Sequence, residues 1–360
     1  MNENVYCVIM SGGTGVRFWP MSRENKPKQF LDILFTGQTL IQSTYKRYCK
    51  VVKKENIRFV LSRMHVDILK EQIPEITDEQ IIIEPDRRNT APAVAYASAK
   101  IYKNNPDAIL IFAPSDHLIE DEESFIDTIN QAIEYVKNND VLMTLGIKPT
   151  RPDTGFGYIQ FIPQKDQKIC KVKTFTEKPA IELARTFIRS GDFLWNAGIF
   201  VWSAKTIIDA FKEYEQEIYN AFMSDLSWYY TEKEQQKIEK IYSNIKKISV
   251  DYAIMEKANN VYTIISEFPW NDLGTWASLY EKRPKDENNN SIIGKNVMIY
   301  NSENCLIQMP ANKKLVVIEG LNNFIVVEND DMLLILNKND EQSLRNIVQD
   351  ILIEKGSEYI

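Results

Sequence analysis

One stretch near the start of this 360-residue chain indicates both its fold and its chemistry. A short apolar run, Val5–Met10, leads into a loop that reads, from residue 11 to residue 30, SGGTGVRFWPMSRENKPKQF. Because glycine lacks a Cβ atom, the backbone at Gly12, Gly13 and Gly15 can turn its amides toward a common point and approach a ligand closely. Clustered N–H groups of this kind bind anions, phosphate above all. We refer to residues 11–30 as the glycine loop.

The spacing of these glycines differs from the two common phosphate motifs. The loop lacks the G-x-G-x-x-G pattern of dinucleotide sites, and no Gly-Lys-Ser or Gly-Lys-Thr follows, so it is not a P-loop. Taken alone, glycines after a strand are also compatible with a simple tight turn. The cations Arg17 and Lys28 favour an anion site, because they bring positive charge to the same region.

Composition and charge narrow the class of protein. The net charge is 43 − 50 = −7, which argues against a general nucleic-acid binder, since no basic excess exists to neutralise a phosphate backbone. The sequence shows no signal-peptide pattern and no apolar run of the ~18–20 residues that a membrane span needs. We therefore expect a cytoplasmic protein without a membrane partner. Its scattered cysteines are expected to be reduced thiols rather than zinc ligands: Cys7, Cys49, Cys170 and Cys305.

Strand and helix patterns alternate along the first half of the chain. Ala108–Ala113 is almost entirely apolar, as expected for a strand buried on both faces of a sheet. Helices are predicted at Thr90–Tyr102 and Glu122–Asn138, with further strands before and after them. This order predicts an α/β fold with a doubly wound, mostly parallel Rossmann-like sheet that binds ligands beyond the carboxyl ends of its strands.

A polar segment at 285–291 predicts a linker between two domains. We expect a catalytic domain at 1–285 and a small β-rich module at 291–360. Short apolar runs separated by turn residues predict a compact all-β module, a partial β-helix, closed by a helix at Glu341–Lys355.

Further motifs contain residue types suited to ligand binding, and each also has a structural interpretation. Asn89 or Thr90 could simply cap a helix, and Asp116 could be a turn residue. Asp251 and Thr275 are also expected as helix caps. Glu84 carries a carboxylate, which can accept hydrogen bonds from a ligand that presents a pair of N–H donors. The motifs read EPDRRNTAPA at 84–93, APSDH at 113–117, DTGFGYI at 153–159, FTEKP at 175–179, LWNAGIF at 194–200 and FPWNDLGTW at 268–276.

With the glycine loop, these motifs resemble the sugar-1-phosphate nucleotidylyltransferases, and they occur in the order expected for that family. The segment after the glycines and the RNTAP run at 88–92 are most similar to members that use a guanine nucleotide and mannose 1-phosphate. The resemblance therefore implies the nucleotide-diphospho-sugar transferase fold, GTP and mannose 1-phosphate as substrates, and Mg²⁺ as cofactor.

The resemblance also implies roles for individual residues. Catalytic roles fall on Arg17, Lys28, Asp116 and Asp272, the two aspartates being the Mg²⁺ ligands. Nucleotide binding falls on Ser11, Gly12, Gly13, Thr14, Gly15, Glu84, Asn89, Thr90, Ala91, Pro114 and Ser115. Binding of the sugar phosphate falls on Gly157, Glu177, Lys178 and Asn196.

Two functional alternatives remain open on the sequence. One is the same reaction with another nucleoside triphosphate and sugar 1-phosphate. The other is a non-catalytic regulatory homologue that binds a nucleotide sugar. Such a homologue should have lost a metal carboxylate or a loop cation, and this sequence keeps Arg17, Lys28, Asp116 and Asp272. We further expect a homodimer through the C-terminal module, and no sugar-isomerase domain of the kind fused to some relatives.

Overall fold

The computed structural model describes residues 3–13, 15–310 and 314–360. Its strands are β1 (Val5–Met10), β2 (Ile57–Ser62), β3 (Ile81–Glu84), β4 (Ile109–Pro114), β5 (Leu118–Ile119), β6 (Leu142–Ile147), β7 (Tyr158–Phe161), β8 (Ile169–Thr176), β9 (Phe193–Ser203), β10 (Val261–Ser266), β11 (Trp270–Asn271), β12 (Ser291–Ile293), β13 (Val297–Tyr300), β14 (Leu306–Gln308), β15 (Val316–Glu319), β16 (Phe324–Asn329) and β17 (Met332–Asn337).

Its helices are α1 (Leu40–Tyr48), α2 (Val66–Gln72), α3 (Thr90–Asn104), α4 (Glu122–Asn138), α5 (Ile181–Ser190), α6 (Ala204–Tyr214), α7 (Gln216–Phe222), α8 (Glu234–Asn244), α9 (Trp276–Lys282) and α10 (Leu344–Lys355). Over the described ranges, no helix combines the length and apolar character needed to cross a membrane.

The main sheet is mixed, which corrects the expectation of a mostly parallel one. Its strand order is β3-β2-β1-β4-β9-β6-β10-β8-β7 within the described residues. The strands β1 to β4 pair in parallel, as do β6 and β10. In contrast, β9 is antiparallel to both β4 and β6, and β7 and β8 form an antiparallel pair. Alternation of strands and helices predicts parallel pairing well, but it does not reveal a strand that enters the sheet from the opposite edge.

The antiparallel direction of β9 brings its first residues to the ligand-binding edge. Asn196 pairs with Gly146, close to the carboxyl end of β6. The same edge carries the carboxyl end of β4, which Asp116 follows two residues later. An antiparallel strand therefore contributes its beginning where the parallel strands contribute their ends.

Apolar side chains cover both faces of this sheet, as the doubly wound prediction requires. Alternate residues of β1 and β4 point to opposite faces; Cys7 and Ile111 join one core, while Val8 and Phe112 join the other. The first core packs against α1, α2 and α4, and the second against α3, α6, α7 and α8. The strands are apolar at successive positions for this reason.

The C-terminal module is β-rich, as expected. The strands β12, β14 and β16 form a parallel ladder that β17 closes in antiparallel fashion, and β13 pairs in parallel with β15. The short strand β12 falls partly in the predicted linker. That segment is a hydrogen-bonded turn in which the buried Asn290 donates to Ser302 O at 3.0 Å and accepts from Cys305 N at 3.0 Å.

One face of this module packs directly against the glycine loop. Phe18 and Trp19 of the loop join an apolar cluster with Trp276 of α9, Ile325 of β16 and Leu344 of α10. The C-terminal module thus packs against the glycine loop and stabilises its position. The domain boundaries at 285 and 291 stay predictions.

Candidate functional site

Side chains of the glycine loop hold its backbone in shape. Gly15 has φ +63°, and a Cβ atom there would lie 2.7 Å from Cβ of Lys28, so only glycine fits. Ser22 Oγ donates to Gly15 O at 2.5 Å. The amide of the buried Gln29 donates to Ser11 O at 2.9 Å and to Gly13 O at 3.3 Å. Thr14 lies outside the described residues.

Lys28 joins the loop to both predicted metal aspartates. Its Nζ lies 2.8 Å from Oδ2 of Asp116 and donates to the backbone oxygens of Asp272 at 2.6 Å and Leu273 at 3.0 Å. Asp116 and Asp272 are 156 residues apart in sequence, by subtraction of their numbers. The fold therefore brings Lys28, Asp116 and Asp272 together as predicted.

The electrostatics of this junction favour an ionised Asp116. Desolvation raises the pKa of Asp116, but the positive charges of Lys28 and Arg17 and the neighbouring His117 ring outweigh it, so the pKa lies below its usual value. Burial lowers the pKa of His117. Its Nδ1 accepts a hydrogen bond from the indole Nε1 of Trp270 at 3.2 Å, so His117 orients the loop after β4.

A cavity of about 770 Å³ opens in front of this junction, and we call it the loop cavity. Arg17 lines it, together with Lys28, Asp116 and Asp272. The glycine loop forms one wall, and α10 forms another through Arg345, Val348, Gln349 and Leu352. A space of this size suits a bound small molecule.

A smaller pocket of about 200 Å³ adjoins the loop cavity and contains Glu84. Glu24 and Arg87 line both spaces. A Cβ atom on Gly12 would come within 3.7 Å of Oε2 of Glu84, so the glutamate faces the glycine loop. Oε1 of Glu84 accepts a hydrogen bond from the Tyr242 hydroxyl at 2.9 Å. We call this space the Glu84 pocket.

Burial raises the pKa of Glu84 to about 7; the Tyr242 hydrogen bond opposes this effect, and Asp86 adds to it. The carboxyl group is thus poised to change charge near neutral pH, and any ligand that donates hydrogen bonds to it favours the ionised form. The sequence offered no signal for Tyr242, which lies on α8, 158 residues from Glu84.

The start of α3 is largely engaged in structural bonds. Asn89, with φ +66°, caps the helix by accepting a hydrogen bond from Thr90 N at 2.9 Å, which confirms the capping interpretation. Thr90 Oγ1 accepts from Val250 N at 2.9 Å. Ala91 is buried, and its N donates to Ile248 O at 3.1 Å. A nucleotide-binding role for these residues stays a prediction.

Pro114 and Ser115 fix the turn between β4 and Asp116. Pro114 is the last residue of β4 and pairs with Met10 of β1. Ser115 is buried; its N donates to Met10 O at 3.1 Å, and its O accepts from Thr44 Oγ1. Both residues therefore set the direction in which Asp116 leaves the sheet.

The four predicted sugar-phosphate residues form a second constellation, the Glu177 cluster: Gly157, Glu177, Lys178 and Asn196. A Cβ atom on Gly157 would lie 2.5 Å from Oε2 of Glu177 and 3.4 Å from Cβ of Asn196. Asn196 N donates to Gly157 O at 2.8 Å. Lys178 forms an ion pair with Glu177, yet its side chain stays 59% exposed. The structure brings these residues together outside the loop cavity.

Asp251 belongs to the same cluster, which corrects its assignment as a helix cap. The turn Asp251–Met255 has Val250 at its cap position instead. Oδ1 of Asp251 accepts from Nδ2 of Asn196 at 2.9 Å. Burial, followed by the nearby charge of Glu177, raises the pKa of Asp251 to about 7. Asn196 in turn accepts from Thr144 Oγ1 at 2.8 Å, so its amide orientation is fixed.

A row of aromatic rings connects the Glu177 cluster with the Lys28 junction. The centroid of Trp195, next to Asn196, lies 5.0 Å from that of Phe156, which lies 5.2 Å from that of Trp270. Trp270 packs edge-on against His117 at 5.3 Å. The two constellations therefore share one wall. By contrast, Thr275 caps α9, as the sequence predicts.

The donor set at the junction fits a divalent cation. The carboxylate of Asp272 is held by a hydrogen bond from Gly274 N at 3.1 Å, and a Cβ atom at Gly274 would lie 2.4 Å from its Oδ2. Among the described residues, no group of three or more His, Cys, Asp or Glu is arranged to hold a metal by itself. Two carboxylates completed by substrate phosphates are a common arrangement for Mg²⁺.

Comparison with known proteins adds independent evidence. Residues 6–289 match the family model described as nucleotidyl transferase. The chain is 36% identical to a mannose-1-phosphate guanylyltransferase of Salmonella montevideo, covering 98% of this chain and 75% of that protein. It is 34% identical to the alginate biosynthesis protein AlgA of Pseudomonas aeruginosa, over 98% of this chain and 73% of that one.

The solved structures include a similar molecule over nearly the whole length. A Thermus thermophilus protein, described as a mannose-1-phosphate geranyltransferase, superimposes with a TM-score of 0.84 at 28% identity. The match covers 97% of this chain and 99% of that one, so the C-terminal module is included.

Proposed function

Since the chain belongs to the nucleotidyl transferase family, we propose that it transfers GMP from GTP to α-D-mannose 1-phosphate, giving GDP-mannose and pyrophosphate. The Salmonella relative, named a mannose-1-phosphate guanylyltransferase, supports this pair of substrates. The observation that carries the proposal is the position of Lys28, which contacts Asp116 and the backbone of Asp272 and lines the loop cavity with both of them.

The Glu84 pocket is proposed to bind guanine. An ionised Glu84 accepts hydrogen bonds from N1–H and the exocyclic amine, a donor pair that adenine and the pyrimidines do not present. Tyr242 holds one oxygen of Glu84 and leaves Oε2 on the side of Gly12. The phosphates then extend past the glycine loop into the loop cavity, which shares Glu24 and Arg87 with this pocket.

The Glu177 cluster is proposed to bind the sugar phosphate. Glu177 and Asn196 supply an acceptor and an amide at fixed positions for sugar hydroxyls, and Asp251 adds a second carboxylate. The exposed Lys178 side chain can reach a phosphate while Glu177 stays behind it. Gly157 leaves room for the sugar ring because it has no side chain. A Cβ atom at this position would lie 2.5 Å from Oε2 of Glu177 and displace that carboxylate.

The reaction needs alignment and charge neutralisation more than acid–base chemistry. An oxygen of the sugar phosphate, already an anion near neutral pH, attacks the α-phosphorus; the bond from that phosphorus to the bridging oxygen breaks, and its electrons leave with pyrophosphate. Lys178 holds the nucleophile, and Arg17 and Lys28 offset charge on the triphosphate. Asp116 and Asp272 would hold Mg²⁺, which when bound supplies charge neutralisation between the two phosphate groups.

A substrate panel tests this proposal. Purified protein with Mg²⁺ is given GTP, ATP, UTP or dTTP together with mannose or glucose 1-phosphate, and pyrophosphate release is measured. We expect GTP with mannose 1-phosphate to be used with the highest kcat/KM. Preference for another pair would show that the proposed substrates are wrong. No pyrophosphate release with any pair would favour a regulator that binds a nucleotide sugar.

Two finer points of architecture belong to the proposal. The parallel pairing of β12 with β14 and of β13 with β15 supports a partial β-helix for the C-terminal module. Met298 and Val317, neighbours on the exposed face of β13 and β15, support a homodimer through this module. Light scattering of wild type and a Val317→Lys variant tests the dimer; the variant is expected to be monomeric.

A further inference from the structure

We propose that Arg345, on the C-terminal helix α10, binds the terminal phosphates of the nucleotide and the pyrophosphate that leaves. The inference rests on the proposed function for the identity of the ligand. It concerns a residue outside every motif that the sequence indicates, and outside the span that matches the family model.

The first support is the position of α10. Arg345 and Gln349, one helical turn apart, line the same cavity as Arg17 and Lys28. The helix is held there by Leu344 and Val348, which are buried in the cluster that includes Phe18 of the glycine loop. Arg345 thus lies on a helix, α10, that packs against the glycine loop.

Charge pairing around the loop cavity gives the second support. Lys28 pairs with Asp116, Arg87 with Glu24 and Arg23 with Asp331, as three separate ion pairs. Arg17 and Arg345 line the cavity as well, and no carboxylate in the described part of the chain lies within ion-pair distance of either. A nucleoside triphosphate carries more negative charge than one divalent cation offsets, so two available guanidinium groups match it.

The charge of Arg17, in the glycine loop, also acts on a residue near the start of α10. Burial raises the pKa of Glu341, which precedes the helix, while its hydrogen bond from Ala277 N and the charge of Arg17 oppose that rise. Arg17 therefore lies within electrostatic reach of both Asp116 and Glu341. The cations of the glycine loop and of α10 face one space.

The geometry of displacement assigns Arg345 to the leaving group. The attacking and leaving oxygens lie roughly in line at a phosphorus undergoing transfer. The sugar phosphate would attack from the Glu177 cluster, which lies outside the loop cavity. The β- and γ-phosphates must then point away from that cluster, into the loop cavity and toward α10.

Calorimetric titration of an Arg345→Ala variant with GTP, GMP and inorganic pyrophosphate tests the inference. We expect the affinity for GTP and for pyrophosphate to fall roughly 10–100-fold, as for the loss of one charge-assisted contact, and the affinity for GMP to change by less than about twofold. An Arg345→Lys variant should recover part of the loss. A Lys355→Ala variant, with the same charge change on the same helix but outside the cavity, should bind like wild type.

Wild-type affinity of Arg345→Ala for both GTP and pyrophosphate would overturn the inference, as would an equal loss for GMP. Because Arg345 is exposed, its removal should leave the Tm unchanged, and a lowered Tm would point to a structural role instead. If wild-type protein fails to bind GTP, the proposed function is wrong. Pyrophosphate binding still decides the role of Arg345 in that case.

Discussion

Strands of one sheet assemble the Glu177 cluster, whereas segments from both ends of the chain assemble the loop cavity. Gly157 precedes β7, Glu177 follows β8 and Asn196 lies near the start of β9, and β7 pairs with both β8 and β9. The loop cavity needs the glycine loop, the ends of β4 and β11, and α10 of the C-terminal module. The Glu177 cluster is therefore preorganised by hydrogen bonds, and the loop cavity is completed only when the whole chain has folded.

The two regions also differ in how their charges are satisfied. In the Glu177 cluster the polar groups bond to one another, as Asn196 does with Asp251 and Thr144. In the loop cavity Arg17 and Arg345 have no carboxylate partner among the described residues. We therefore expect the Glu177 cluster to select its ligand by shape and hydrogen bonds, and the loop cavity to neutralise charge.

The largest effect is expected at the Lys28 junction. Both Asp116→Asn and Lys28→Ala should lower kcat by at least ~100-fold, because each removes a charge that acts on the reacting phosphates. Steady-state kinetics with saturating substrates measures this. Lys26→Ala, which removes an exposed cation from the same loop, is the matched control and should keep near-wild-type turnover. A normal kcat in Asp116→Asn would contradict the catalytic role proposed for Asp116 at the loop cavity.

A smaller and more selective effect is expected in the Glu177 cluster. Gly157→Ala places a Cβ atom 2.5 Å from Oε2 of Glu177, so the carboxylate must move. We expect the KM for mannose 1-phosphate to rise by at least about tenfold, because misplaced positioning groups are costly, with GTP binding unchanged. Equal weakening of both substrates would show that the two regions are not separate.

The smallest effect is a pH dependence of GTP binding. Burial raises the pKa of Glu84 to about 7, so its carboxyl group is largely neutral below that pH and ionised above it. Guanine donors need the ionised form, and the affinity for GTP should therefore fall about tenfold between pH 7.5 and pH 6. Calorimetry without sugar phosphate measures this binding apart from the titration of Asp251.

Glu84→Gln provides the control for this pH dependence. The variant should bind GTP more weakly and discriminate less against ATP. Its affinity for GTP should also no longer show the fall between pH 7.5 and pH 6 that the titration of Glu84 causes. An unchanged preference for GTP in Glu84→Gln would remove Glu84 from base recognition. If the GTP affinity of variant and wild type depended on pH in the same way, the group that titrates would be another one, such as the phosphates of GTP.

Much of the fold and of the candidate site follows from the sequence. The helix at Glu122–Asn138 has the predicted bounds, because its apolar periodicity is clear and Asp121 caps its start. Motifs after strand ends meet because the carboxyl ends of parallel strands share an edge. This physical rule brings Asp116 to the glycine loop.

The remaining features depend on contacts that no local pattern encodes. The direction of β9 is set by its neighbours β4 and β6, so the mixed sheet was not predictable from alternation. Tyr242 and Arg345 lie in ordinary helices, and only tertiary packing brings them to Glu84 and to the loop cavity. Asp251 carries a cap-like sequence signal, yet its carboxylate bonds to Asn196.

The stereochemistry of transfer tests the central claim, that the sugar phosphate attacks GTP directly across the junction of the two regions. One diastereomer of GTP with sulfur on the α-phosphorus is converted with mannose 1-phosphate, and ³¹P NMR determines the configuration of the product. Direct in-line displacement predicts inversion at that phosphorus. Retention would require two displacements through a nucleophile of the protein, and it would contradict a site that works by alignment and charge neutralisation alone.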